Sequence, residues 1–90
     1  METVKERIDA IVKLIESNYK KSRVHAIDLS GEYLTLDASF NRNGNHPLVA
    51  LRILNKYPDI DTVHFTGGWV EGVYTRETLR WCGYKVKSVE

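Results

Sequence analysis

The sequence predicts a single small α/β domain over residues 1–90, in which helices pack on a mixed four-stranded sheet. Three patterns lead to this class. Apolar residues recur at helical spacing at the start of the chain, two strand-like runs on either side of a Ser-Gly pair indicate a hairpin, and helix and strand patterns then alternate. The predicted order is α-β-β-α-β-α-β. Strands joined through helices are expected to be parallel, so an N-terminal hairpin is followed by a parallel βαβαβ part.

The first segment has the pattern of an amphipathic helix. Thr3 followed by Glu6 has the spacing of a capping box, so we expect the helix to begin at about residues 2–4 and to end at about residues 18–20. Apolar residues fall on one helical face, which is expected to lie on the sheet. They are Val4, Ile8, Ile11, Val12, Ile15 and Tyr19.

A β-hairpin follows. Residues 24–29 and 33–40 are rich in β-branched, aromatic and aliphatic side chains, and Ser30 and Gly31 lie between them. A turn at these two residues pairs Leu29 with Glu32. The core face then carries His25, Ile27, Leu29, Leu34, Leu36, Ala38 and Phe40, and the opposite face carries Val24, Ala26, Asp28, Tyr33, Thr35, Asp37 and Ser39.

The second predicted helix is apolar on nearly every side. Residues 41–45 form a polar loop, Pro47 suits the first turn of a helix, and Tyr57-Pro58 ends it. A helix this apolar needs cover on two sides, which the sheet and either the first helix or a second subunit would provide. We therefore expect a homo-oligomer, most simply a dimer.

The last third of the chain alternates strand and helix patterns. Residues 60–66 alternate as a third strand, and residues 67–72 form a glycine-rich loop. Thr75 is placed to cap a short helix that Gly83 closes. Residues 84–89 are predicted to form the last strand.

Composition and charge limit the classes of function. Thirteen Lys and Arg against twelve Asp and Glu leave a net charge of +1, and 42% of the residues are hydrophobic. The apolar fraction suffices for one core and argues against disorder, and the near-neutral charge argues against a nucleic-acid coat protein. Bases nevertheless gather in residues 20–23 and 76–87, so nucleic-acid binding stays open as a second alternative.

Cysteine usage and hydropathy predict a cytoplasmic location. Cys82 is the only cysteine, so no internal disulfide can form, which is typical of a reducing compartment. The N-terminus is charged where a signal peptide turns apolar, and no apolar run approaches the ~20 residues that span a bilayer. We therefore expect no membrane contact. Cys82 itself is interpreted as a small core residue, since the end of a helix does not favour a reactive thiolate.

Two predicted loops bring candidate binding residues to one edge of the sheet. Segments 41–46 and 67–74 follow strands 2 and 3, and loops after parallel strands gather at one edge, where α/β proteins bind ligands. Trp69 is the predicted anchor, because an exposed large aromatic is typical of a binding hot spot. The predicted function is non-enzymatic binding of a partner protein or a small anionic ligand, without a cofactor. The candidate binding residues are Arg42, Asn43, His46, Trp69 and Glu71.

The main alternative is a metal-dependent hydrolase or nuclease that uses Asp28 and Asp37. Divalent cations need carboxylates that converge on one point. In the predicted register the two aspartates share a face but lie about four residues apart along it, roughly 13 Å at the rise of a strand. That is too far for one ion unless the register differs. His25 and His64 are interpreted as structural groups of their strands.

Overall fold

Three helices and four strands make up the part of the chain that the computed structural model describes, which is residues 2–40, 45–67 and 72–87. These elements follow the predicted order as far as β3. Their bounds are α1 Val4–Asn18, β1 Arg23–Ser30, β2 Tyr33–Ser39, α2 Asn45–Lys56, β3 Thr62–Phe65, β4 Gly72–Thr75 and α3 Arg76–Trp81.

The first helix forms where the apolar spacing predicts it, and its cap is the predicted one. The backbone N–H of Glu6 donates to Thr3 Oγ1 at 3.1 Å, and the N–H of Thr3 donates to Glu6 Oε1 at 3.1 Å. These reciprocal bonds satisfy two N–H groups that no helical carbonyl reaches. Ile11 and Ile15 are fully buried, so the apolar face of α1 packs into the core as expected.

The sheet is mixed, and its strands lie in the order β1-β2-β3-β4. β1 pairs antiparallel with β2, β2 pairs parallel with β3, and β3 pairs antiparallel with β4. The predicted α/β class with a four-stranded mixed sheet is therefore confirmed. Helix α2 is the crossover that joins the two parallel strands, so the parallel part of the sheet is one βαβ unit.

The fourth strand lies elsewhere in the chain than predicted. β4 precedes α3 and forms a hairpin with β3, whereas residues 84–87 contain no strand. The short run in β4 still alternates, because Tyr74 packs against Phe65 in the core while Val73 points outward. Residues 84–87 run beside α2, where the N–H of Lys87 donates to Asn55 Oδ1 at 2.9 Å and Asn55 Nδ2 donates to the Lys85 carbonyl at 3.4 Å.

The hairpin register differs from the prediction by two residues. Gly31 and Glu32 form the turn, and Leu29 pairs with Leu34. Gly31 has a φ of +62°, a left-handed conformation that favours glycine at the first position of such a turn. A shift of two residues keeps every side chain on its own face, so most of the face assignment holds.

A β-bulge reverses two of the predicted face assignments. The register shifts between Val24 and Ala26, so His25 is the extra residue of the bulge. His25 was expected on the core face, but it is exposed and its Nε2 lies 3.0 Å from Ser39 Oγ. Val24 was expected on the opposite face, but it packs against the core.

The core lies between one face of the sheet and the helices. Strand residues at alternate positions point into it, and α2 covers them with one side. The buried apolar residues are Ile11, Ile15, Leu34, Leu36, Val49, Ala50, Ile53, Leu54, Tyr57, Ile60, Val63, Phe65 and Leu79. The other face of the sheet has no helix from the described ranges packed on it.

The C-terminal helix contributes one residue to the core. Leu79 is buried, whereas Trp81 is 80% exposed. Cys82 is exposed as well, so its interpretation as a core residue is wrong. The reason is the length of α3, which has six residues and so turns only one of its sides to the core.

Candidate functional site

The parallel pairing of β2 and β3 makes both strands end at one edge of the sheet, where the two predicted binding loops begin. Both predicted loops were too long, because residues 45 and 46 belong to α2 and residues 72–74 belong to β4. Leu36 pairs with Phe65, and the N–H of Thr66 donates to the Leu36 carbonyl at 2.8 Å. The chain therefore leaves both strands at neighbouring positions. Four of the candidate binding residues, Arg42, Asn43, Trp69 and Glu71, lie outside the described residues.

His46, the fifth candidate, lies in an aromatic cluster beneath this edge. It begins the first turn of α2 and is 7% exposed. Its ring makes edge-to-face contacts with Phe40 at 4.7 Å and with Phe65 at 4.9 Å. Phe65 also contacts Tyr74, whose pKa is raised by burial. His46 thus belongs to a packed floor below the edge.

The face of the sheet opposite the helices, here called the open face, carries polar residues in cross-strand rows. One row runs through all four strands and consists of Asp28, Thr35, His64 and Val73. His64 Nδ1 lies 2.8 Å from Tyr33 Oη, which agrees with its interpretation as a structural group. Val73 and Tyr33 are 52% and 41% exposed, so apolar surface lies beside polar groups on this face.

Asp28 and Asp37 lie closer together than the predicted register implied. Asp28 pairs with Thr35 and Asp37 pairs with Ala26, so the two aspartates occupy diagonal positions on the open face. Diagonal positions have side chains about 7–8 Å apart. The distance expected from the sequence, about 13 Å, was therefore too long.

The Asp37 carboxylate nevertheless turns away from Asp28. It lies against Gly67, two residues after the end of β3. A Cβ built on Gly67 would be only 2.6 Å from Asp37 Oδ2. β3 flanks β2 on the side opposite β1, so the carboxylate points across the sheet away from Asp28. Within the described ranges, no three His, Cys, Asp or Glu side chains group as metal ligands would.

A second surface lies on the outer side of α2, here called the basic groove. It is a shallow depression of about 570 Å³, which is within the usual range for ligand sites. None of its described lining residues is acidic. They are Tyr19, Leu48, Leu51, Arg52, Asn55, Lys56 and Lys87.

Contacts with α1 and with the C-terminal segment hold the groove in shape. The Arg52 guanidinium lies 5.7 Å from the centre of the Tyr19 ring, and its Nε donates to Tyr19 Oη at 3.3 Å. On the opposite side, the two hydrogen bonds of Asn55 hold residues 85–87 against α2. Both walls are therefore tied to the helix that forms the floor.

Sequence reasoning missed this groove. Leu48, Arg52 and Lys56 are spaced by four residues and form one stripe on α2, and that spacing is a signal that the sequence does contain. The prediction instead treated the helix as apolar nearly all round, and Lys87 as part of the last strand. The approach of Lys87 to α2 is a tertiary contact that no local pattern indicates.

Comparisons of this chain with models of known protein families, with curated proteins and with solved structures find no match. In the described part of the chain, no helix is long and apolar enough to cross a membrane. Three surfaces of the molecule are therefore candidates for a functional role, which are the sheet edge, the open face and the basic groove.

Proposed function

We propose that this chain is a non-enzymatic binding domain that holds a partner protein at the sheet edge where segments 41–46 and 67–74 follow β2 and β3. The observation that supports this proposal is the parallel pairing of β2 with β3, since it makes both loops leave the same edge. Trp69 is the proposed anchor, and Arg42, Asn43 and Glu71 are its proposed polar partners. His46 would act from below, as part of the aromatic floor.

A protein partner is favoured here over a small anionic ligand. Asp37 points toward the edge and rests on Gly67, where loop 67–74 begins. A carboxylate at this position would repel an anion entering between the loops. A protein partner can instead offer hydrogen-bond donors to the same carboxylate.

The test compares the two tryptophans of the chain. Trp81 is 80% exposed on α3, so Trp81→Ala removes an equal side chain away from the edge and serves as the control for Trp69→Ala. Immobilised wild-type, Trp69→Ala and Trp81→Ala proteins are used to capture partners from the same extract. A protein retained by the wild type and by Trp81→Ala but lost with Trp69→Ala supports the proposal.

Thermal melting separates loss of binding from loss of folding. If Trp69 is an anchor in a loop, Trp69→Ala should melt within a few degrees of the wild type, since surface substitutions stay within about 0.5 kcal/mol. A large drop in melting temperature would show that Trp69 belongs to the core. That outcome, or identical capture by both variants, contradicts the proposal.

The metal-dependent hydrolase is the alternative that one observation favours, which is the diagonal placement of Asp28 and Asp37. Calorimetric titration with Mn²⁺ tests it. A binding domain whose Asp37 carboxylate turns toward Gly67 should give no heat of binding. Heat that Asp28→Asn abolishes would favour the hydrolase over the binding domain.

A dimer and a cytoplasmic location belong to the same proposal. Val73 and Tyr33 supply exposed apolar surface on the open face through which two copies could pair. Sedimentation at micromolar concentration should then show a dimer, which Val73→Asp should convert to monomers. An exposed Cys82 suits a reducing compartment, where it stays a thiol.

A further inference from the structure

We propose that the basic groove binds an acidic, amphipathic helical segment of a partner protein. The groove lies on the outer side of α2, apart from the sheet edge, and none of its described lining residues belongs to loops 41–46 and 67–74. This second interaction surface is therefore independent of the proposed function. Charge, apolar exposure and the shape of the stripe on α2 each support it.

The charge of the groove is positive, and no acid of the described residues forms an ion pair with it. Arg52, Lys56 and Lys87 line it. The ion pairs between described residues are those of Arg7 with Glu2 and Asp59, on α1 and after α2. The three cations of the groove take part in none of them, so a partner that brings carboxylates meets uncompensated positive charge.

The floor of the groove is apolar, which indicates an amphipathic partner. Leu48 is 43% exposed, whereas the other two leucines of α2 are covered: Leu54 is almost fully buried and Leu51 is half-buried. Burying such a side chain against a partner adds hydrophobic stabilisation. A purely charged ligand would not use this floor.

The aromatic ring in the groove argues against single-stranded nucleic acid. Nucleic-acid sites of this kind stack bases on accessible aromatic rings. The Tyr19 ring has the Arg52 guanidinium over it at 5.7 Å and the Phe40 ring against it at 6.0 Å. A stacking base would have to compete with both of these contacts.

The spacing of the residues in the stripe on α2 matches the spacing of side chains along one face of a partner helix. Leu48, Arg52 and Lys56 follow one another at four-residue intervals, about 6 Å apart along the helix axis. A partner helix with acidic residues at the same interval and leucines beside them places carboxylates near the cations and leucines over Leu48. A second copy of α2 fits poorly, because an isologous contact through this stripe would bring the cations of one copy close to those of the other.

The experiment uses a fluorescein-labelled synthetic helical peptide with glutamates at four-residue intervals and leucines on the adjoining face, titrated with the full chain by anisotropy. Arg52→Glu/Lys56→Glu should weaken binding about a hundredfold, since repulsion replaces attraction at both positions. Leu48→Ser should weaken it about tenfold through the loss of apolar contact. The control Lys5→Glu/Lys13→Glu makes the same change in net charge on exposed positions of α1 and should stay within about twofold of the wild type.

Several outcomes would overturn the inference. They are a wild type that does not bind the peptide, equal losses in the two charge-reversed variants, and equal binding of a control peptide with serines in place of leucines. Tighter binding of oligo(dT) than of the peptide would assign the groove to nucleic acid. Circular dichroism confirms that each variant is folded. Trp69→Ala should leave peptide binding unchanged, so a failure at the sheet edge and a failure at the groove are distinguished.

Discussion

The contact between the Asp37 carboxylate and Gly67 makes a quantitative prediction about stability. Gly67 has a φ of +82°, and a Cβ there would lie 2.6 Å from Asp37 Oδ2 and 2.7 Å from Cγ. Gly31 is the matched control, since its φ is +62° and nothing lies within 4 Å of a Cβ built on it. Gly31→Ala should therefore report only the backbone term, about 1–2 kcal/mol. Gly67→Ala should report that term and the displacement of the carboxylate.

The added term is modest, because the obstructing group is the end of a side chain. Asp37 can move by leaving its rotamer, at about 0.5–1.5 kcal/mol. Gly67→Ala is therefore expected to lower the free energy of unfolding by about 2–3 kcal/mol. In a domain of this size, the melting temperature should fall by about 10–20 °C. The melting temperature of Gly31→Ala should fall by roughly half as much.

Urea denaturation of a double-mutant cycle isolates the contact. In the Asp37→Ala background the obstruction is gone, so Gly67→Ala should be about 1 kcal/mol less destabilising than in the wild type. Strict additivity, or equal losses for the two glycine variants, would refute the reasoning. The Asp37 carboxylate would then be free to turn toward Asp28, and the case against a metal site at that pair would fail with it.

Two further predictions concern the links that hold the helices in place. Arg7 Nη1 donates to both carboxylate oxygens of Asp59, and this hydrogen bond lowers the pKa of Asp59 from its ordinary 3.8. The pair therefore stabilises the fold at pH values above 3.8, and this stabilisation is lost as the pH falls through the lowered pKa of Asp59. Asp59→Asn should lower the free energy of unfolding at neutral pH by no more than about 1 kcal/mol, because the pair is exposed. When the pH is lowered through the acid range, the melting temperature of this variant should fall less than that of the wild type. Asn55→Ala should release the C-terminal segment from α2, which hydrogen exchange would detect as faster exchange of the Lys87 amide, and unchanged exchange would contradict the assignment of that hydrogen bond.

Local patterns were sufficient to predict much of the fold. The capping box at Thr3 and Glu6 and the apolar spacing of α1 depend on residues within a few positions of one another, so the sequence contains them directly. The faces of the hairpin survived a two-residue error in register, because the side-chain period of a strand is two. The bulge at His25 inserts one residue and not two, so it reversed the face assignments of His25 and Val24.

Features that depend on tertiary contacts were missed. Strand β4 has four residues, and the first of them is Gly72. A strand pattern this short could not be separated from the glycine-rich loop before it. The alternation at 84–87 was a better strand pattern, yet the side chain of Asn55 holds this segment beside α2. Packing also decides the surroundings of His46, whose ring lies among aromatic side chains, whereas the binding role of the five edge candidates stays a prediction.

The near-zero net charge of the chain hides a difference between its two sides. The open face carries Asp28 and Asp37 with Arg23 as a single cation beside them, while the outer side of α2 carries Arg52 and Lys56, and α2 contains no acidic residue. The domain measures 20 Å along its shortest axis, about two Debye lengths at physiological ionic strength, so each side presents its own charge to an approaching partner. An acidic segment is attracted to α2 and repelled from the sheet, and a basic partner meets the opposite preference. A mutation that reverses the charge of the outer side of α2 should therefore leave binding on the sheet side of the domain unchanged.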